Sequence, residues 1–415
     1  MNNKVNNKAF WPLKDLLLLC IYTLAIVALL SFYCQGIDNA SDMTDRPNQQ
    51  YADFQQFYFP AAMLVFKNPQ PVGGYFYTPT FALMLYGLIS PAPANALLIW
   101  KVFQYFWLIL LLFLPALYLG KKSGQKIYSY IYLASLALSM PVYHNLNWGQ
   151  ISIMLMFCSV FALILYDGKK IKSAAFFLAL AACVKYYPAF ILVVFLFKKE
   201  WKLILWFLIF SFLLGFVLPG SFLGFTQTLE FYRQSMFEMS YALDWVAQDI
   251  NSQFFAHVAI RMFGFSIGAK GILTVLGLML VFAFLAIFYK DIKAHEQRKP
   301  IIYALGCFLL FPFLINTSWP HYFVALPFCA VYLMTEIKER NNLVLPVIAL
   351  FMQSMIFLFI FESYKSYSAA GFLFWANLML LISLAQILHK SYSKCQAHTK
   401  LQKKHPENDS REFFF

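Results

Sequence analysis

Apolar positions in this chain come in long unbroken runs, not in the alternation of a half-buried strand or the three-four spacing of a surface helix. Starting with LKDLLLLCIYTLAIVALLSFY and recurring up to the segment before His389, these runs are long enough to cross about 30 Å of hydrocarbon. A backbone in lipid has to satisfy its own polar groups, so each run predicts a helix. The chain therefore reads as an all-α polytopic membrane protein with about 11–13 transmembrane helices. The first run is too long for a signal-peptide core and lacks a small-residue cleavage site, so it predicts a retained helix. One run, 173–197, departs from the pattern. It lies between DGKKIK and KKEWK, and a straight crossing with strongly basic ends on both sides of the membrane violates the charge rule. Two half-helices fit better, broken at VKYYP. There Pro188 disfavours helix in the residue before it, and Lys185 needs a polar cavity or a partner.

Composition agrees with the pattern. Of 415 residues, 61% are hydrophobic and only 12% are charged, against about a quarter charged in soluble domains. The net charge of +13 does not point to nucleic acid, because the basic residues cluster between apolar runs, where they set membrane orientation. Segments 1–13, 120–126, 167–172, 198–202, 290–300, 336–340 and 390–415 hold 23 of the 32 lysines and arginines and are expected in the cytoplasm. Segments 35–94, 144–148, 220–267, 316–320 and 362–369 hold five basic residues and nine acids and are expected outside. This gives one transmembrane domain, 1–389, in a bacterial inner membrane. Both termini are cytoplasmic, 390–415 forms a basic tail, and 35–94 and 220–267 are the long extracytoplasmic loops. In the first loop, ADFQQFYFPAAMLVF and YFYTPTFALMLYGLIS are expected to lie in or dip into the outer interface. The seven cysteines show no CxxC spacing and read as core filler.

The outward face gathers Asp53, the tyrosines of GGYFYTP, the HNLNWGQ turn and Lys185, then Arg233, QDINSQ and SWPHY. A carboxylate among aromatics can act as general base toward a hydroxyl, because its surroundings hold off bulk water. Asp53 could equally cap a helix starting at Phe54. A lysine at a helix break, an arginine and a histidine can hold a phosphate, although Lys185 could also snorkel toward the surface. Phosphate-loop, HExxH and GxSxG motifs are absent from the sequence. Asp42 and Asp45 form a close pair, but loop acids without further ligands stay solvated. The reading therefore includes no metal and no cofactor.

Taken in order, the segments ADFQQFYFPAAMLVFKNPQPVGGYFYTPTFALMLYGLISPAP, NWGQISIMLMF, SAAFFLALAACVKYYPAFILVVFLFKKEW, INSQFFAHVAIRMFG and SWPHYFVALPF resemble glycosyltransferase family 87, polyprenyl-phosphate-sugar-dependent transferases of GT-C type. The resemblance implies a catalytic aspartate at Asp53 and a late histidine at His321. It also places a Lys-x-x-Pro step at Lys185 and Pro188 and a Gly-Gln step at Gly149 and Gln150. Asn251 and Ser252 match the Asn-x-Ser step only approximately, and YTPTF lacks the family's second proline.

The reading that follows is a hexosyltransferase moving mannose or another hexose from a polyprenyl-phosphate carrier to a glycolipid or glycan hydroxyl. Asp53 is the base. Lys185, His321 and Arg233 hold the donor phosphate, and Tyr75, Tyr77, Gln150, Asn251 and Tyr322 orient the sugar. The partners are the lipid-linked donor, the acceptor and membrane lipids, with no nucleic acid. A flippase for the same lipid is the first alternative, and it predicts an inverted repeat and midplane polar groups that the sequence does not show. A polysaccharide polymerase or ligase is the second, and it favours more outward arginines.

Overall fold

The computed structural model describes residues 11–36, 50–68, 70–241, 246, 249–295, 297–337, 339–357, 360 and 364–404. The Asp42 and Asp45 pair and residues 405–415 of the tail lie outside the described residues. Within them the regular structure is helical, with turns and loops between the helices, and the one β feature is an isolated bridge between Ser139 and Ser354. Five helical stretches are long and apolar enough to span a bilayer: Leu13–Ser31, Pro93–Ser123, Trp201–Leu223, Ile267–Ala294 and Phe372–His389. Shorter apolar helices, among them Ile127–Ala137, Ser152–Asp167, Ile171–Val184 and Ile301–Leu314, pack between them. The chain is a polytopic helical membrane protein.

Surface and core divide as the bilayer requires. Leu205, Leu208, Phe212, Ile272, Met279 and Phe282 face outward, where lipid chains replace the partners that water-soluble folds demand. Helix Ile301–Leu314 is apolar on all sides and buried along nearly its whole length, as a central helix must be. The last helix, Phe372–Lys404, continues past His389 into the segment read as tail.

The basic segments meet at one end of the bundle. Lys126 pairs with Asp15, Lys122 Nζ lies 2.6 Å from Glu336, and Lys299 Nζ lies 2.8 Å from Asp167. Lys198 Nζ donates to the Arg298 carbonyl at 2.6 Å. Asp167 precedes the run 173–197 and Lys198 follows it, so both ends of that run return to the same end of the molecule. The break between them is where the sequence places it. Helix Ile171–Val184 stops at Lys185, whose backbone is extended (φ −146°, ψ 133°), and a 3-10 turn, Tyr187–Ile191, leads into the short helix Leu192–Phe197.

The segment 144–148, expected outside, is no turn. It is the end of a buried helix, Met140–Trp148, closed by Gly149 in the left-handed region (φ +70°). A Cβ on Gly149 would lie 3.1 Å from side-chain atoms of Phe54 and Tyr51. The glycine thus serves two needs, the backbone reversal and the close approach of the first loop.

Candidate active site

Asp53 sits at the entry of a π-helical turn, Phe54–Tyr58, that runs into helix Phe59–Leu64. Its backbone is already helical and its side chain caps nothing; the carboxylate instead accepts from Gln150 Nε2. The turn has the wide spacing of a π-helix, with the Phe59 N–H donating to the Phe54 carbonyl five residues back. Tyr58 is buried in an aromatic bed, edge-on to the rings of Tyr77, Phe81 and Trp100 with centroids 5.1, 5.1 and 5.6 Å away. Phe54 stacks on Trp100 at 5.2 Å. Just before the turn, Tyr51 holds φ +60° while its N–H donates to the Asn147 carbonyl at 2.7 Å. A left-handed non-glycine residue costs on the order of 1 kcal/mol and marks a segment held by its neighbours.

Lys185, only 9% exposed, lies at the helix break. Its ammonium sits 4.5 Å from the ring centre of Tyr322 and 4.6 Å from that of Tyr77, and it donates to the Tyr77 hydroxyl at 3.2 Å. No carboxylate pairs with it among the described residues. Tyr77 also donates to Gln150 Oε1 at 2.8 Å. Asp53, Gln150, Tyr77, Lys185 and Tyr322, separated by as many as 269 positions in the sequence, therefore form one connected cluster.

His321 is the next member. Its ring lies 5.0 Å from Tyr322 and 5.8 Å from His144, and both its ring nitrogens are buried without a hydrogen-bond partner among the described residues. His144 stacks on Trp148 at 5.6 Å and meets Tyr364 at 6.0 Å. The Tyr364 hydroxyl donates to Asn251 Oδ1 at 2.6 Å, which links the second long loop to the histidine pair. Asn251 thus joins the cluster at its far edge.

Two expected residues bring no polar group to the cluster. The Tyr75 ring packs against it, 5.4 Å from that of Tyr77, but its hydroxyl donates to the Thr78 carbonyl at 3.3 Å. Arg233 lies on the exposed face of helix Phe225–Tyr241, its side chain 74% exposed, and pairs with Glu230 at 2.5 Å one turn earlier. Hydrogen bonds from Arg233 and Gln234 hold the Glu230 carboxyl down to about 2. The arginine's charge is spent locally, on a helix face turned away from Lys185. Sequence reading also missed Tyr58, because its hydroxyl partners Tyr77 and Gln150 are distant in the sequence. Trp148 and Tyr364 were visible only as interfacial aromatics.

A helical membrane bundle with a carboxylate, an acid-free lysine and unpartnered imidazoles gathered at one end has the layout of a membrane glycosyltransferase of GT-C type. The model of glycosyltransferase family 87 matches residues 75–317, more than half of the chain, and the chain belongs to that family. No curated protein and no solved structure matches it. The matched span contains Gln150, Lys185 and Asn251; Asp53 precedes it and His321 follows it.

Proposed function

We propose that this glycosyltransferase moves one hexose, mannose being the first to test, from a polyprenyl-phosphate carrier to a hydroxyl of a lipid or cell-envelope glycan. The site faces outward from a bacterial inner membrane, both termini are cytoplasmic, and residues 1–389 act as one domain. Asp53 takes the acceptor proton as the hydroxyl oxygen attacks the anomeric carbon. The bond from that carbon to the phosphate oxygen breaks, its electron pair leaves with the lipid phosphate, and the configuration inverts. Lys185 meets the charge that develops on the leaving oxygen, and a buried ammonium fixed between aromatic faces does so without reorganising. His321 donates or accepts beside it. The sugar carries its own leaving group, so the reaction needs no nucleotide and no further cofactor.

The observation that carries this reading is the single cluster in which a carboxylate and a lysine without an acid partner sit at opposite ends of one hydrogen-bonded chain. Purified protein, radiolabelled polyprenyl-phosphate hexose and a membrane lipid extract provide the test. Wild type should release polyprenyl phosphate and label an acceptor, and Asp53→Asn should lose transfer by on the order of 100-fold or more. Full transfer by a folded Asp53→Asn protein would overturn the base assignment. Movement of donor across vesicles without release of polyprenyl phosphate would show a flippase.

A further inference from the structure

Gln150 lies at the centre of the cluster, and its amide has only one workable orientation. A carboxylate accepts and cannot donate, so the NH₂ group has to face Asp53 and the carbonyl has to face the tyrosines. On that carbonyl converge the Tyr77 hydroxyl at 2.8 Å and the Tyr58 hydroxyl at 2.9 Å, the two phenol oxygens being 2.5 Å apart. The main chain of Gln150 is pinned as well. Its carbonyl accepts from Gln104 Nε2 at 2.7 Å and from Asn145 Nδ2 at 2.9 Å, and Trp100 Nε1 holds the preceding carbonyl of Gly149 at 3.0 Å. The Tyr58 hydroxyl has one proton and its shortest contact is to Tyr77, so Tyr77 is the donor to the amide; with both phenol oxygens within 2.9 Å of this buried amide oxygen, no room is left there for a sugar hydroxyl.

We infer that Gln150 is a positioning residue for Asp53 and not a sugar contact, with Tyr58 and Tyr77 forming the frame that fixes its amide. The inference rests on Asp53 being the base. Every donor in the chain points the same way: Lys185 to Tyr77, Tyr77 to Gln150, Gln150 to Asp53. Such a chain polarises in one sense and strengthens the bond at its carboxylate end. The N–H donated by Gln150 stabilises the charged carboxylate and fixes its orientation toward the acceptor, while Tyr58, buried behind the amide, touches no substrate.

Steady-state kinetics across pH on Gln150→Leu and on the near-isosteric Tyr58→Phe test the frame. Gln150→Leu should lower kcat by roughly 10- to 100-fold through misplacement of the base, with donor and acceptor KM nearly unchanged. The carboxylate loses a donor that favours its charged form, so it protonates at higher pH, and the acidic limb of kcat/KM should move up by about one pH unit. Tyr58→Phe removes the hydroxyl that bonds Tyr77 and braces the amide oxygen, and should shift kcat and the limb in the same direction by less. A raised KM with the acidic limb unmoved would make Gln150 a sugar contact and overturn the inference, as would two variants that match wild type. Asp53→Asn in the same assay separates the two failures. If it is fully active, the base reading itself falls, whereas an inactive Asp53→Asn beside an unaltered Gln150→Leu removes only the frame.

Discussion

At the end of the bundle that carries the basic segments, Asp291 is buried with its Oδ2 accepting from Arg298 at 2.7 Å and from the Tyr303 hydroxyl at 2.6 Å. His295 Nδ1 lies 3.0 Å from its other oxygen, off the hydrogen-bonding direction. At the opposite end, Lys185 is comparably deep and meets aromatic faces and one hydroxyl, none of which neutralises it. A buried charge is costly unless it is paired. The first end meets that cost within the fold, by tying the segment after helix Lys270–Ala294 to helix Ile301–Leu314. The second leaves it unmet, and beside it His321 keeps both nitrogens unpartnered. Saturated charge here closes a structure. Unsaturated charge, in the same low-dielectric interior, is what an anionic substrate would complete.

The largest effect that would break this contrast is expected at the saturated end. Asp291→Ala removes the buried carboxylate that accepts from Arg298 and Tyr303 and should cost about 3–5 kcal/mol of stability, the usual result of removing one partner of a buried pair. Thermal unfolding in detergent measures it, and transfer per folded molecule should stay at the wild-type level. A loss of transfer without a loss of stability would mean that this end also serves the reaction. Lys185→Met reverses the pattern. Donor binding should weaken by on the order of 100-fold, about 2.7 kcal/mol, while the melting temperature holds or rises because a buried unpaired charge has gone. Unchanged donor binding would return Lys185 to a structural part.

Sequence periodicity reached the fold more readily than the site, and particular residues show why. Runs of apolar residues and clusters of lysine are properties of segments, so the helices, the common end of the basic loops and the break at Lys185 could all be read directly. Pro188 and the like-charged flanks of 173–197 are local signals of that break. The contacts that build the site are not local. Nothing near Gln150 in the sequence indicates that its amide reaches Asp53, 97 positions earlier. Tyr58 was hidden for the same reason, since its hydroxyl meets Tyr77 and Gln150, 19 and 92 positions later. Charge counting assigns loop 220–267 and with it Arg233 to the side expected for the site, but a loop's side does not reveal which face of its helix a residue occupies.

A smaller effect sharpens the structural half of the contrast. Lys122 bonds Glu336 at 2.6 Å and Thr335 Oγ1 at 2.9 Å, and its ammonium lies 4.3 Å from the ring centre of Tyr332. Part-exposed pairs of this kind contribute about 1 kcal/mol or less. Lys122→Met should lower the melting temperature slightly and leave transfer unaltered; a drop comparable with that of Asp291→Ala would erase the distinction between a buried clasp and a peripheral one.

The smallest effect expected is that of Arg233→Ala, and it decides whether exposure or charge alone defines the site. The pair with Glu230 spans one turn of an exposed helix, so water and salt screen it and its loss should not register in unfolding. The folded carboxyl titrates below an ordinary glutamate, so whatever the pair contributes is present above the usual glutamate range and fades as pH falls toward about 2. Over the neutral range, then, neither stability nor its pH dependence should change. If Arg233 held the donor phosphate, removing it would raise donor KM by tenfold or more, since a charge-assisted contact to phosphate contributes on the order of 1.5–3 kcal/mol. A donor KM within about twofold of wild type, beside the loss in Lys185→Met, would assign the phosphate to the buried cation and leave the exposed one outside the site.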